Sequence, residues 1–238
     1  NNPALNSKYL YLSIDLISIV FPFLASFGKR APFYKKWKYF GISVVITGAF
    51  FILWDEVFTR EKVWGFNPEY LTGLYIGSLP IEEILFFICI PYACVFTYFA
   101  LNNLVAKDHL FPHQELISSG LIILLLISGI YNIDKWYTGI TFIVLALFLA
   151  YQMLKIRPRY MGRFYFAFVF LLIPFFLVNG VLTGSFLDSE VVWYNNAHTL
   201  GIRIGTIPIE DVFYGFLLIL MNVSIMEWLE ERAYYKKK

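Results

Sequence analysis

Residues 67–83 read NPEYLTGLYIGSLPIEE, and residues 195–211 read NNAHTLGIRIGTIPIED. The two stretches align without gaps at a constant offset of 128 residues, and each ends in a proline, an isoleucine and two acidic residues. A weaker match at an offset of 126 pairs Tyr34 with Tyr160 in two basic segments. Self-similarity at a fixed spacing is typical of a chain built from copies of one structural unit. We therefore expect each copy to begin the same element in its own half of the chain.

Long apolar segments flank both stretches. A helix needs roughly 20 predominantly apolar residues to cross the hydrocarbon core of a bilayer. Seven segments approach this length, at residues 9–28, 39–54, 82–101, 116–133, 137–154, 164–182 and 208–228. Each should be helical, because an open strand would leave backbone polar groups unpaired in lipid. With 59% hydrophobic and 15% charged residues, the sequence predicts an all-α membrane protein, a bundle of seven transmembrane helices.

The repeat divides this bundle into two halves within a single transmembrane domain, residues 1–238. We expect the first repeat at about 9–103, a connecting helix at about 116–133 and the second repeat at about 137–230. One connecting helix returns the chain to its starting side, so the two three-helix repeats should be parallel, with a pseudo-two-fold axis along the membrane normal. Both acidic motifs then enter the membrane from the same side, where one shared site is expected.

The distribution of basic residues predicts the orientation of the chain. Of its 19 Lys and Arg residues, 14 fall in loops on the side opposite the N-terminus. Cytoplasmic loops carry the excess of Lys and Arg. The sequence therefore predicts a multi-pass protein of the cell membrane, with the N-terminus outside and the C-terminus in the cytoplasm.

The residues just before the acids suggest how the third and seventh helices begin. Pro80 and Pro208 suit the first turn of a helix, where a missing N–H costs little. Ser78 and Thr206, two residues upstream, are of the type that caps a helix N-terminus. We expect the prolines in the first helical turn and the hydroxyls as possible caps.

Glu82, Glu83, Glu210 and Asp211 then fall in the first turns of these two helices. The helix dipole favours a carboxylate there by about 0.3–1 kcal/mol, whereas burial of several like charges together is unfavourable. We therefore expect at least one of the four to hold a proton at neutral pH, and the four to titrate as a coupled set. The simpler alternative is that the acids cap helices at the water interface, and a second copy of the motif on the same side argues against it.

Other polar and aromatic residues are expected in the same layer. The residues that we expect to bind substrate or to support the four acids are Asp55, Asn179, Arg203, Trp54, Phe86 and Tyr214. Arg203 should pair with a nearby acid. An ionisable group inside a membrane helix is a functional candidate, which adds Asp15, whereas His198 is expected in a surface loop.

The segments LPIEE at 79–83 and IPIED at 207–211, each opening an aromatic-rich helix, resemble the motif of the membrane-integral, flavin-free lycopene cyclases. That family includes paired bacterial subunits, single-chain archaeal forms and the cyclase half of fungal bifunctional enzymes. The resemblance covers both halves, fused in one chain. Its second copy ends in Glu-Asp, at Glu210 and Asp211, where the first ends in Glu-Glu.

The resemblance implies a proton-initiated, redox-neutral cyclisation of the open ψ-ends of lycopene to β-ionone rings, giving γ-carotene and then β-carotene. It implies Glu82 and Glu210 as the central acid/base pair, with Glu83 and Asp211 tuning their protonation. The apolar carotenoid would enter from the bilayer, with no cofactor and no metal. No Gly-x-Gly-x-x-Gly nucleotide fingerprint occurs in the sequence, consistent with a flavin-free enzyme.

Three other functions stay open at this point. A carotenoid hydratase would trap the same cation with water, and a proton-coupled transporter would also carry membrane acids in symmetric halves. Acids confined to one membrane edge argue against a transport path. A non-catalytic carotenoid- or retinal-binding protein is the third, although no lysine lies in the seven apolar segments to hold retinal as a Schiff base. No nucleic-acid partner is indicated, and the oligomeric state is unknown.

Overall fold

The computed structural model describes residues 8–236 and is predominantly helical. Its seven α-helices are α1 Leu10–Ala25, α2 Trp37–Arg60, α3 Ile81–Leu104, α4 Gln114–Tyr131, α5 Trp136–Tyr151, α6 Met161–Leu182 and α7 Ile209–Tyr235. Three short strands lie between α2 and α3, namely β1 Trp64–Phe66, β2 Tyr75–Ile76 and β3 Leu79–Pro80, and three lie between α6 and α7, namely β4 Val192–Tyr194, β5 Arg203–Ile204 and β6 Ile207–Pro208. The helix order matches the seven apolar segments of the sequence, with ends that differ by a few residues.

Six of the seven helices, α2 to α7, belong to segments that are long and apolar enough to cross a membrane. The exception is α1, which has 16 residues and is shorter than the roughly 20 that a perpendicular crossing needs. A multi-pass membrane protein is therefore indicated, while the orientation of the termini stays a prediction. Lys237 and Lys238, which contribute to that orientation, lie outside the described residues, as do residues 1–7.

A two-stranded hairpin precedes each acid-bearing helix. In the first, Tyr75 pairs with Pro80 and Ile76 with Leu79, and the second hairpin, β5–β6, has the same register at an offset of 128 residues. Each turn begins with a glycine at positive φ, +66° at Gly77 and +64° at Gly205. Two-residue hairpin turns with a glycine first have this backbone, which explains why a glycine stands at this place in both stretches.

The recurring asparagines also have one local role. Asn67 Oδ1 accepts a hydrogen bond from the N–H of Glu69 at 3.1 Å, and Asn195 Oδ1 accepts one from the N–H of Ala197 at 3.0 Å. Each asparagine thereby caps a single 3₁₀ turn upstream of the hairpin. A short polar side chain that bonds to the backbone two residues on is a common way to fix such a turn.

The expected helix starts need a correction. Pro80 and Pro208 are the last residues of β3 and β6, and the helices begin one residue later. The Ser78 hydroxyl donates to Glu56 Oε2 at 2.7 Å, and the Thr206 hydroxyl shares a hydrogen bond with the Thr183 hydroxyl at 2.7 Å. Because the turn directs these hydroxyls at the preceding helix, they join each hairpin to that helix, which differs from the capping role expected.

The chain folds into two compact units. The first unit comprises residues 1–61, 66–104 and 218–238, and the second comprises residues 62–65 and 105–217. Large apolar side chains fill each one, such as Phe51 and Phe87 in the first and Phe164 and Leu145 in the second. The sequence repeat assigned all of α7 to the second half, whereas the compact units divide it after residue 217. The arrangement of the helices as two parallel repeats stays a prediction.

Candidate active site

All four motif acids are buried at the starts of α3 and α7. Glu82 and Glu210 have no exposed surface, while Glu83 is 7% and Asp211 is 4% exposed. Carboxyl groups are rarely buried to this extent unless they are paired or serve a function. Their first-turn position on the helices is the one that the sequence predicts.

The first acid of each motif is anchored through one oxygen only. Glu82 Oε1 accepts a hydrogen bond from the backbone N–H of Thr72 at 2.7 Å, and Glu210 Oε1 accepts one from the N–H of Leu200 at 2.6 Å. The two donors are related by the same 128-residue offset. The second oxygen, Oε2, is buried in both glutamates and has no hydrogen-bond partner among residues 8–236. Each unit therefore holds a glutamate in place through one oxygen and leaves the other oxygen without a hydrogen bond in the described residues.

In the second unit, the anchored oxygen has an additional donor. The Thr138 hydroxyl donates to Glu210 Oε1 at 2.6 Å, in addition to the N–H of Leu200. Two donors on one oxygen orient the carboxyl group more firmly than one, so the free Oε2 atom of Glu210 is fixed in direction.

The second acid of each motif is instead held by tyrosine hydroxyls. Tyr11 donates to Glu83 Oε2 at 2.5 Å. Tyr137 and Tyr194 donate to the two oxygens of Asp211, at 2.6 Å and 2.9 Å. Both oxygens of Asp211 thus accept a hydrogen bond, whereas only one oxygen of Glu210 does.

Asp55 contacts the second acid of the first motif. Its side chain is 2% exposed and lies within hydrogen-bonding contact of the carboxyl group of Glu83. Two carboxyl groups can share a hydrogen bond only when one of them carries a proton. The first unit therefore places two carboxyl groups close enough to share a proton.

Aromatic rings surround both groups. In the first unit, Trp54 stacks on Phe51 at a centroid distance of 5.8 Å, and Phe86 contacts Tyr11 edge-on at 6.3 Å. In the second unit, Tyr214 lies 6.2 Å from the ring of Tyr137. The predicted aromatic residues Phe86 and Tyr214 thus each contact a tyrosine that bonds to a motif acid, which places a π-face where a cation could be stabilised.

Neither Arg203 nor Asn179 is hydrogen-bonded to a motif acid among residues 8–236. The Arg203 guanidinium donates to the backbone oxygen of Thr206 at 2.6 Å and to Asn196 Oδ1 at 3.2 Å, because both acceptors belong to its own hairpin and the preceding turn. It lies 5.9 Å from the ring of Tyr194, and its charge acts on Asp211 without a salt bridge between them. Asn179 is half-buried, and the hydrogen bonds described for Glu210 and Asp211 do not include it.

Tyr75 occupies in the first hairpin the position that Arg203 has in the second. Partial burial and the nearby charge of Glu82 raise the pKa of the Tyr75 hydroxyl. The two hairpins therefore share a backbone but present different side chains.

His198, expected in a surface loop, lies in a short 3₁₀ turn before the second hairpin with its ring 6.1 Å from that of Trp136.

Sequence reasoning missed the hydroxyl donors. A signal for two of them exists, since Tyr11 and Tyr137 are related by the offset of 126 residues that also relates the basic segments. Thr138 and Tyr194 carry no such signal. Position 66, which is the repeat equivalent of Tyr194, is a phenylalanine and lacks a hydroxyl.

Comparison with known proteins gives one consistent result. The family model described as lycopene cyclase matches residues 8–101 and 134–229. The bifunctional lycopene cyclase/phytoene synthase of Aspergillus niger is 29% identical over 105 residues, which are 41% of this chain and 18% of that protein. The protein of the same name from Podospora anserina is 24% identical over 145 residues, 56% of this chain and 24% of that protein. The matched part of the chain thus spans less than a quarter of the length of these relatives. No solved structure matches the chain.

Proposed function

We propose that this chain, which belongs to the lycopene cyclase family, is a membrane enzyme that closes the open ψ-ends of lycopene into β-ionone rings, giving γ-carotene and then β-carotene. The observation that supports this proposal most directly is the repeated glutamate with one anchored and one free, buried oxygen. Family membership indicates an enzyme acting on an apolar carotenoid. The reaction steps that follow are our proposal.

The reaction needs a proton donor and a proton acceptor but no net electrons. A carboxylic acid protonates the terminal double bond of the substrate, and an internal double bond attacks the resulting cation to form the ring. A carboxylate then removes a ring proton, and this restores a neutral product. We assign the exchange of protons to Glu82 and Glu210, whose Oε2 atoms are free, since positioned carboxyl groups serve as general acids and bases.

Glu83 and Asp211 have a supporting role in this proposal. Glu83 accepts a hydrogen bond from Tyr11, and Asp211 accepts hydrogen bonds from Tyr137 and Tyr194, so each holds its position next to the reacting glutamate of its own motif. Anionic oxygens and aromatic faces stabilise a passing carbocation. The apolar surroundings of a membrane site also exclude water, which would otherwise trap the cation.

The test is pigment formation in bacteria that accumulate lycopene. We expect Glu82→Gln and Glu210→Gln to leave lycopene unconverted, because an amide cannot donate or accept the proton. Glu69→Gln and Glu190→Gln are the matched controls, since both glutamates are exposed and undergo the same chemical change. The amount of each variant in the membrane fraction is measured in parallel. If both motif variants still form rings at the rate of the controls, the assignment of the site is wrong.

The same pigment analysis separates cyclisation from its closest alternatives. Ring closure leaves the mass of lycopene unchanged, whereas hydration adds the mass of one water. A non-catalytic carotenoid-binding protein or a transporter leaves lycopene as it was. A hydrated product dependent on Glu82 and Glu210 would retain the site but replace the proposed function.

A further inference from the structure

A tryptophan from the first repeat lies next to the second motif. Trp64, in β1, is 5% exposed, and its ring contacts the Tyr137 ring edge-on at a centroid distance of 4.9 Å. It also contacts the rings of Tyr194 and Tyr214 edge-on, at 6.3 Å and 6.0 Å. The hydroxyls of Tyr137 and Tyr194 donate to Asp211, so one buried indole packs against both donors.

The backbone on both sides of Trp64 fixes its place in the second unit. β1 pairs with β4, and the backbone N–H of Asn195 donates to the oxygen of Val63 at 2.9 Å. On the other side, Gly65 lets the ring of Trp193 approach the strand closely, because a Cβ at this glycine would lie 2.3 Å from that ring. A glycine inside a strand often marks such a close approach. The indole is therefore held in place by its own strand.

The sequence repeat does not reproduce this tryptophan. At the offset of 128 residues, the equivalent of Trp64 is Val192, which has no ring. In the first unit, the second acid of the motif, Glu83, instead lies near two further buried carboxyl groups, those of Asp55 and Asp15. The repeated backbone therefore does not require the aromatic packing, which belongs to the second motif.

The ring packing also directs both hydroxyls. Tyr137 and Tyr194 stack with their ring planes 9° apart and their centroids 5.8 Å apart, and Trp64 meets both rings edge-on. Stacked and edge-to-face contacts favour particular orientations of the rings. Because the oxygen of a tyrosine lies in the plane of its ring, an orientation imposed on the ring also aims the hydroxyl at Asp211.

We infer that Trp64 is a positioning residue of the second motif. Its indole holds the two tyrosine rings so that both hydroxyls stay bonded to Asp211, the neighbour of Glu210. This inference rests on the proposed function, in which Asp211 supports the reacting glutamate. Trp64 takes no part in proton transfer and acts on the rate of ring formation through the two hydroxyls.

The test measures ring formation by Trp64→Leu in membranes that contain equal amounts of each variant. We expect the rate to fall about 10- to 100-fold, since a displacement of about 1 Å is enough for an effect of this size. Trp64→Phe keeps an aromatic edge and should restore most of the rate. Phe164→Leu is the matched control, because Phe164 is 1% exposed and meets Phe216 edge-on at 5.0 Å, but neither ring carries a hydroxyl. We expect this control to lower thermal stability alone.

A background without the two hydroxyls separates positioning from general packing. In the double variant Tyr137→Phe/Tyr194→Phe, adding Trp64→Leu should lower the rate by less than about twofold, because no hydroxyl remains for the indole to direct. The same fold loss with and without the hydroxyls would overturn the inference. If Trp64→Leu does not accumulate in the membrane, Gly65→Ala takes its place in both backgrounds, since its Cβ would displace the strand, and the same criterion decides.

The outcomes also distinguish this inference from the proposed function. An unchanged rate in Trp64→Leu, together with loss of ring formation in Glu210→Gln, would reject the role of Trp64 and leave the proposed function standing. Ring formation that persists in both Glu82→Gln and Glu210→Gln would reject the proposed function itself.

Discussion

Removing the hydroxyl of Tyr137 tests whether the second acid of the motif acts through its hydrogen bonds. Tyr137 donates to Asp211 at 2.6 Å and is 2% exposed, so Tyr137→Phe leaves one carboxylate oxygen buried with no replacement donor from water. A hydrogen bond to a charged group contributes about 1.5–3 kcal/mol. If that support acts on the transition state, the rate of ring formation should fall about 10- to 100-fold, since about 1.4 kcal/mol corresponds to a factor of ten.

The second donor to Asp211 gives an internal comparison. Tyr194 donates at 2.9 Å, and its side chain is only half-buried. Water can therefore replace its hydroxyl more easily, and we expect a smaller effect from Tyr194→Phe. The double variant should lose more than either single variant but less than the product of the two losses, because the donors share one carboxylate.

Tyr165→Phe is the matched control for this experiment. Tyr165 is 5% exposed, and its hydroxyl bonds to the Ser118 hydroxyl at 2.6 Å, so the substitution removes a bond of similar length that involves no acid. The assay is conversion of lycopene by membranes that contain equal amounts of each variant, with thermal unfolding measured in detergent. We expect Tyr165→Phe to affect stability alone. The reasoning is refuted if Tyr137→Phe lowers ring formation no more than Tyr165→Phe does.

Two further predictions concern the hairpins and the orientation. Gly77→Ala should lower the unfolding temperature more than Gly205→Ala. Both glycines have positive φ, which costs an alanine roughly 1–2 kcal/mol, but only at Gly77 would the new Cβ also lie 2.7 Å from the Glu56 carboxylate. Equal losses of unfolding temperature in the two variants would contradict this prediction. The orientation is tested with Glu69→Cys and Lys107→Cys, each made in a variant without the native cysteines. Both positions are exposed, but the distribution of basic residues places them on opposite sides of the membrane, so a membrane-impermeant maleimide should label intact cells at position 69 and not at position 107. The reverse labelling pattern would invert the predicted orientation.

The parts of the site that the sequence predicts are those governed by local backbone geometry. Glu82 and Glu210 follow hairpins of identical register, and the glycines and prolines that shape these hairpins are visible in the sequence. The partners of the acids depend instead on how helices pack. Tyr194 bonds to Asp211 across 17 residues, and nothing in its own segment distinguishes it from an interfacial tyrosine.

Charge alone was a poor guide to contacts. The expectation that Arg203 pairs with an acid follows from Coulomb attraction, but the guanidinium bonds to oxygens of its own hairpin and the adjacent turn, Thr206 O and Asn196 Oδ1. Local acceptors are available without the cost of bringing a guanidinium into an apolar site. The prediction of one site shared by the two motifs stays a prediction, since Glu82 and Glu210 belong to different compact units.

The anchoring of the two glutamates also explains how the motif can persist while its surroundings diverge. The donors to Oε1 are the backbone N–H groups of Thr72 and Leu200, two residues whose side chains have nothing in common. A backbone donor imposes no requirement on the side chain that it belongs to, only on the path of the chain. That path is set by Gly73 and Gly201, which follow the donors and have positive φ of +87° and +73°. The positions of the two glutamates therefore depend on the backbone path at these glycines, while the side chains between glycine and acid are free to differ between the two halves.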